Sequence, residues 1–324
     1  MSGGPAAAPT WLGEPDRFAR RNRILTLDPE ADAREIIGLF YADFRSVMLP
    51  QGFNGFMMTF AAPRISRVLA QTGEIENRVA KRIIDTILLS REVMEHGFAP
   101  GPGRDAARRV NAMHRRYDIH DDDFVVVGCD EALCGLELAE RFGWRAVTDH
   151  ERMALRNYYD LQSRAYGSRR GLPPDMAAMH RFWSDYLDAQ ARFEPQNRRL
   201  ADATLGFFLG LFPRWMRPAA RVLLLGQLDP RIVTACGLRA RTAPERWLAH
   251  AMLRAMGRKD PVPDGAPDDL QRLVALAYPD GWRVEDLGTH HPDSDRPGGA
   301  VDRCRFHASG SNASPPRPSR RPAP

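Results

Sequence analysis

From Asp32 to about Gly257 the apolar residues of this chain recur at spacings of three and four, and no stretch settles into convincing alternation. That pattern selects the α-helix, because only a helix gathers residues i, i+3, i+4 and i+7 on one side. The clearest case is "EIENRVAKRIIDTILLSREVMEHG". Val79, Ile83, Ile84, Ile87, Leu88 and Met94 share a stripe there, and Gly97 supplies a C-terminal stop. "FVVVGCDEALCGLELAERFG" is apolar around most of its girth, so it is expected to be a central helix. Three starts carry a capping-box pattern: Asp32 with Glu35, Thr148 with Glu151, and Thr242 with Glu245. The expected fold is all-α, a single multi-helix domain with disordered termini.

Composition sets the boundaries. Residues 1–20 are expected to be a flexible N-terminus, 21–257 the helical domain and 258–288 a short helical extension. Residues 289–324, rich in Pro, Gly and Ser, are expected to be a disordered tail. The net charge is +5, carried by arginine. No basic stripe with interleaved aromatics appears, which argues against nucleic acid as a partner. Cys129, Cys134, Cys236 and Cys304 form no CxxC pair and no zinc spacing, so reduced cysteines are expected. The N-terminus lacks the pattern of a secretory signal, and no run approaches the ~18 apolar residues of a spanning helix. A cytoplasmic location is the expectation. "LGFFLGLFPRWMRPAARVLLL" mixes aromatics with arginines. Buried packing is the preferred reading, and contact with a membrane interface is the alternative.

Two features bear on chemistry. In "RRVNAMHRRYDI" His114 shares a helix face with Val110, Met113 and Tyr117. A histidine so placed is either a core residue with a hydrogen-bond partner or a ligand aimed into a pocket. In "RIIDT" Arg82 and Thr86 lie four apart on one face, with Asp85 one step round. An arginine in an apolar helix needs a partner, either a protein carboxylate or carbonyl, or a ligand carboxylate.

Taken in order, "LDPEADAREI", "FAAPRISRVLAQTGE", "KRIIDTILLSREVMEHG", "RRVNAMHRRYDIHDDDF", "RFGWRAVTDHER" and "FEPQNRRLADAT" resemble the MpaB-type oxygenases, which share a catalytic domain with a bacterial rubber oxygenase, the latex-clearing protein. The resemblance spans roughly residues 22–240. It implies globin-like helical packing around a haem pocket and a haem-b-dependent oxygenase. Such an enzyme would cleave a C=C bond of a hydrophobic, unsaturated substrate with O2, the substrate being an isoprenoid- or lipid-like small molecule or polymer. The resemblance carries the iron ligand onto His114 and the pocket-supporting pair onto Arg82 and Thr86. It assigns no catalytic carboxylate; Glu74, Glu131 and Glu137 are loose candidates. Asp85 stands where the rubber oxygenase has a lysine, so a lysine cannot reach the iron from that position. Two other readings stay open: a haem-free, metal-dependent helical oxygenase, and a non-catalytic helical protein binding haem or a hydrophobic ligand.

Overall fold

The computed structural model describes residues 8–267 and 269–289. The described residues are all-helical apart from one isolated bridge between Trp11 and Glu14. The helices run α1 (Ala19–Ile24), α2 (Ala33–Asp43), α3 (Gln51–Ala61), α4 (Pro63–Thr72), α5 (Glu74–Asn77), α6 (Val79–His96), α7 (Pro102–His114) and α8 (Asp121–Phe142). They continue with α9 (Asp149–Tyr166), α10 (Met176–Gln190), α11 (Pro195–Gly210), α12 (Arg217–Leu225), α13 (Pro230–Ala235), α14 (Ala243–Gly257) and α15 (Asp269–Ala277). Two 3-10 turns, Arg214–Met216 and Val284–Asp286, complete the set. None of these helices is long and apolar enough to cross a membrane.

Helix α8 is the axis, as its uniform apolarity leads one to expect. Val125 and Cys129 join a core built from α2 and α9, where Phe40, Phe44 and Tyr158 are fully buried. Val126 joins a second core, with Phe53 and Phe60 of α3 and Leu200 of α11. Each such side chain contributes about 1.5–3 kcal/mol by leaving water. A third cluster, with Ile84, Leu88 and Val110, ties α6 and α7 to Tyr278 and Leu287 of the C-terminal extension.

The capping boxes at Thr148 and Thr242 form in full. The one expected at Asp32 does not. The Asp32 carboxylate accepts from the Asp28 amide at 3.0 Å instead, and Glu35 accepts from Arg23 at 2.8 Å. The turn Asp28–Asp32 has its own donors to satisfy, and it takes the side chain first. Residues 1–20, expected to be flexible from composition, are tethered from Thr10 onward. Trp11 donates to the Pro261 carbonyl at 3.0 Å, and Arg20 donates to Asp264 at 2.9 Å. The tail read as disordered lies outside the described residues, except for Thr289.

Several sequence fragments turn out to be latches. In "RFGWRAVTDHER", Arg145 donates to Glu151 at 2.7 Å and also to Asp43 on α2. Burial pushes the Asp43 carboxyl up from its ordinary value, and the Arg145 charge opposes that. In "FEPQNRRLADAT", Asn197 accepts from Ser66 of α4 and donates to the carbonyls of Arg192 and Ala235 at 2.9 and 3.0 Å. Buried polar groups bonded across elements hold those elements in one arrangement.

Candidate functional site

The α6–α7 hairpin sets the site. Gly97 takes φ +72° at the end of α6, a conformation only glycine adopts freely. Gly103 lets α7 return so close that an added Cβ would sit 2.2 Å from the Gly97 carbonyl oxygen. The two helices run antiparallel, so Arg82 near the start of α6 comes level with His114 at the end of α7. Sequence spacing of thirty-two residues thus becomes proximity, and the Arg82 charge acts directly on the His114 ring.

His114 is held at one nitrogen. Its Nδ1 lies 2.9 Å from the Tyr166 carbonyl oxygen, near the end of α9. A carbonyl only accepts, so Nδ1 carries the proton and Nε2 carries the lone pair. Asn111, one turn earlier, donates to the Ala165 carbonyl at 3.1 Å. Together the two side chains satisfy carbonyls that the last turn of α9 leaves open. Burial pushes the His114 imidazole below its ordinary value, the Tyr166 carbonyl pulls the other way, and the Arg82 charge lowers it further. The ring is therefore neutral at pH 7. Phe124 of α8 packs edge-on at 5.3 Å between centroids.

Arg82 is pinned to Thr86. The Thr86 hydroxyl donates to the Arg82 carbonyl at 2.8 Å, which leaves its oxygen free to accept from the Arg82 guanidinium. Neither of the protein partners expected from the sequence, an aspartate or a carbonyl, takes this guanidinium. No carboxylate lies within ion-pair distance of Arg82 among the described residues. Burial lowers its proton affinity, while Asp85, Glu74 and Tyr117 oppose that by their charge.

We infer a recess beside these groups. Arg82, His114, Tyr166 and Glu131 are only half-buried, so each touches solvent-sized space. Yet desolvation is the leading influence on the titration of all four. A group meets both conditions when the surface it keeps faces a space walled by protein. Helix α8 shows the same boundary as a pattern. Phe124, Val127, Glu131 and Cys134 are half-buried at spacings of three, four and three, while the residues between them are buried. That is one helical face lining the recess.

Glu131 lies two turns along this stripe from Phe124. Burial pushes its carboxyl up to about 7, opposed by a hydrogen bond with Tyr159. The Tyr159 and Tyr41 hydroxyls are 2.5 Å apart, and Gln51 donates to Tyr41 at 2.8 Å. Asp130, also pushed up to about 7 by burial, accepts from the Trp183 indole at 2.8 Å. The Tyr166 hydroxyl has no well-shaped hydrogen bond. A cavity of about 40 Å³ lies beyond Cys134, between Asn54, Glu137 and Gln227.

The remaining candidates fall elsewhere. Glu74 accepts from Arg78, and Glu137 is at the surface. His180 is exposed against Trp183, and His96 is exposed beside Glu92. His120 caps α8 by accepting from the Asp122 amide. His290, His291 and His307 lie outside the described residues. Asp85, a neighbour of Arg82 on α6, is buried and engaged by partners of its own. It accepts from Lys81, from the Tyr278 hydroxyl and, at 2.8 Å, from the Gly288 amide.

The family model for the catalytic domain of "ER-bound oxygenase mpaB/B'/Rubber oxygenase" matches residues 39–258. The chain belongs to this family. Among solved structures, the latex clearing protein LCP in the closed state superposes with a TM-score of 0.52 at 18% identity, covering 77% of this chain and 74% of that one. At that identity the likeness shows the shared all-helical fold. No protein of curated function matches the chain. Family membership makes the chain an oxygenase of the mpaB/rubber-oxygenase type, and the six fragments quoted above fall largely within the matched region.

Proposed function

We propose that this chain is a haem-b oxygenase that cleaves a C=C bond of a hydrophobic, isoprenoid- or lipid-like substrate with O2. The observation that carries the reading is His114. Its Nδ1 proton is committed to a backbone carbonyl, and its neutral ring leaves the Nε2 lone pair available as a ligand. A hydrogen bond at the other ring nitrogen fixes tautomer and orientation in metal-ligating histidines.

The other residues fit the group. Arg82, held by a hydroxyl rather than a carboxylate, has donors to spare for a propionate. Thr86 fixes where that guanidinium points. Phe124 and Val127 supply an apolar wall that keeps water away. Bound haem would supply the O2 and redox chemistry that side chains lack. Glu131 holds or releases a proton near neutral pH, at the opposite end of the α8 stripe from Phe124.

The haem-free reading lacks its donor set. Among the described residues, His114 has no pair of carboxylate, cysteine or histidine neighbours arranged to share an ion. The group that does, Glu92, Glu95 and His96, lies at the surface end of α6.

An absorption spectrum tests the proposal. Protein purified from haem-supplemented cells should show a Soret band that His114→Ala removes without unfolding the chain. A wild-type chain that takes up no haem, or a band that persists in the variant, overturns the assignment. Haem that binds while no O2 is consumed with an alkene substrate moves the chain to the binding-protein class.

A further inference from the structure

One end of the molecule carries a surface unlike the rest. Trp215, in the first 3-10 turn, is 80% exposed, and Trp247 on α14 is 69% exposed. Leu211 and Leu248 beside them are also exposed. Tryptophan is usually well covered, so two bare indoles in neighbouring elements call for a partner. The elements form one layer. Gly226, ending α12, lies so close to α14 that an added Cβ would sit 2.4 Å from the Ala249 Cβ. Ala220, Leu223 and Leu224 of α12 and Ala249 and Leu253 of α14 are buried on the inner side. The bare side chains are left on the outer side.

The same layer is strongly cationic. Leu211 to Arg258 holds nine arginines, no lysine, and only Asp229 and Glu245 as carboxylates. That local balance of +7 exceeds the +5 of the whole chain, so the remainder is net acidic. Asp229 is taken by Arg231, and Glu245 is shared by Arg239 and Arg241. Arg214, Arg217, Arg221, Arg246, Arg254 and Arg258 have no carboxylate within ion-pair distance among the described residues. The crowding is felt inside the cluster. Burial, then Arg239 and Arg221, lower the proton affinity of Arg241; burial, then Arg141, Arg254 and Arg246, lower that of His250.

We propose that the α12–α14 face docks on an anionic phospholipid surface. Its arginines meet phosphates, while Trp215 and Trp247 sit at the headgroup level. Amphipathic indoles favour that boundary, and a cationic face is drawn to it. The exposed leucines favour lipid over a single-stranded nucleic acid, because an aliphatic side chain enters an acyl layer but offers no ring for a base to stack on. Docking does not depend on haem.

Sedimentation of the full chain with vesicles tests this. Binding is expected with mixed phosphatidylglycerol and phosphatidylcholine vesicles, but not with phosphatidylcholine alone, and is expected to weaken with salt. Tryptophan emission should shift to the blue on binding, and Trp215→Ala with Trp247→Ala should remove that shift. Arg214→Gln and Arg246→Gln should each weaken binding about fivefold, on a scale of about 1 kcal/mol per cation near such a surface. Arg169→Gln, at the opposite end of α8, should leave it unchanged. These side chains are exposed, so unaltered melting confirms that each variant is folded. The proposal is overturned by wild-type protein that binds neither vesicle, by equal binding in the arginine variants, or by a face that retains nucleic acid or a second copy of the chain and ignores lipid.

Discussion

Arg82 and Asp85 lie three residues apart on α6 and meet opposite fates. Asp85 is closed off: Lys81, the Tyr278 hydroxyl and the Gly288 amide all donate to it, and it is buried. Arg82 has one hydroxyl partner and faces a recess. A satisfied buried charge holds the protein together, whereas a cation with donors left over awaits something else. Asp85 fastens the C-terminal extension onto α6.

The comparison predicts separable effects. Asp85→Ala should cost about 3–5 kcal/mol in denaturant unfolding, because it strands Lys81 in the interior. Haem uptake per folded molecule should stay unchanged. A cost near zero would mean that the extension is not anchored there.

Arg82→Gln should do the reverse. Stability should stay within about 1 kcal/mol, while haem affinity in titration falls about tenfold or more, the scale of a charge-assisted hydrogen bond. Equal loss in both measurements would erase the distinction between the two residues.

Gly103→Ala probes the hairpin that brings Arg82 to His114. The new Cβ would sit 2.2 Å from the Gly97 oxygen, so the helices must part. A cost of about 1–3 kcal/mol is expected, with the Soret band weakened even though no recess residue has changed.

The gentlest probe is pH. Asp130 and Glu131 hold their protons up to about 7 in the fold, whereas unfolded carboxylates lose them near their ordinary values, about 4. The folded state therefore binds more protons between these limits, and stability should fall as pH rises from about 4 to about 7. His114 has the opposite sign. Its lowered value makes its contribution full above the ordinary histidine value, about 6.5, and lost as pH falls through the folded value. Melting curves of Asp130→Asn should show a flatter decline than wild type over the carboxylate window. An unchanged slope would remove Asp130 from the account.

Part of the candidate site was legible in the sequence. His114, Arg82 and Thr86 stand out as polar residues in apolar helices, and their shared face is a matter of spacing. The Tyr166 contribution was not legible, because it is a backbone carbonyl and any residue supplies one. The α8 stripe was hidden for another reason. A helix buried around most of its girth shows little amphipathic signal, so Phe124, Val127, Glu131 and Cys134 become a face only once a recess opens beside them. Asp130 was missed and Glu131 left as a loose candidate for the same reason.

What the sequence determined by itself was the helical character, most helix ends and the pairing of residues within a turn, because those depend on neighbours three or four positions away. Tertiary structure decided which nitrogen of His114 is free, which charges on α6 are satisfied, and whether Asp32 or Thr148 completes a cap. Each of these turns on a partner brought in from a distant segment, and desolvation makes the result decisive. Inside the fold an unmatched polar group is expensive, and the packing of other helices settles which group is matched.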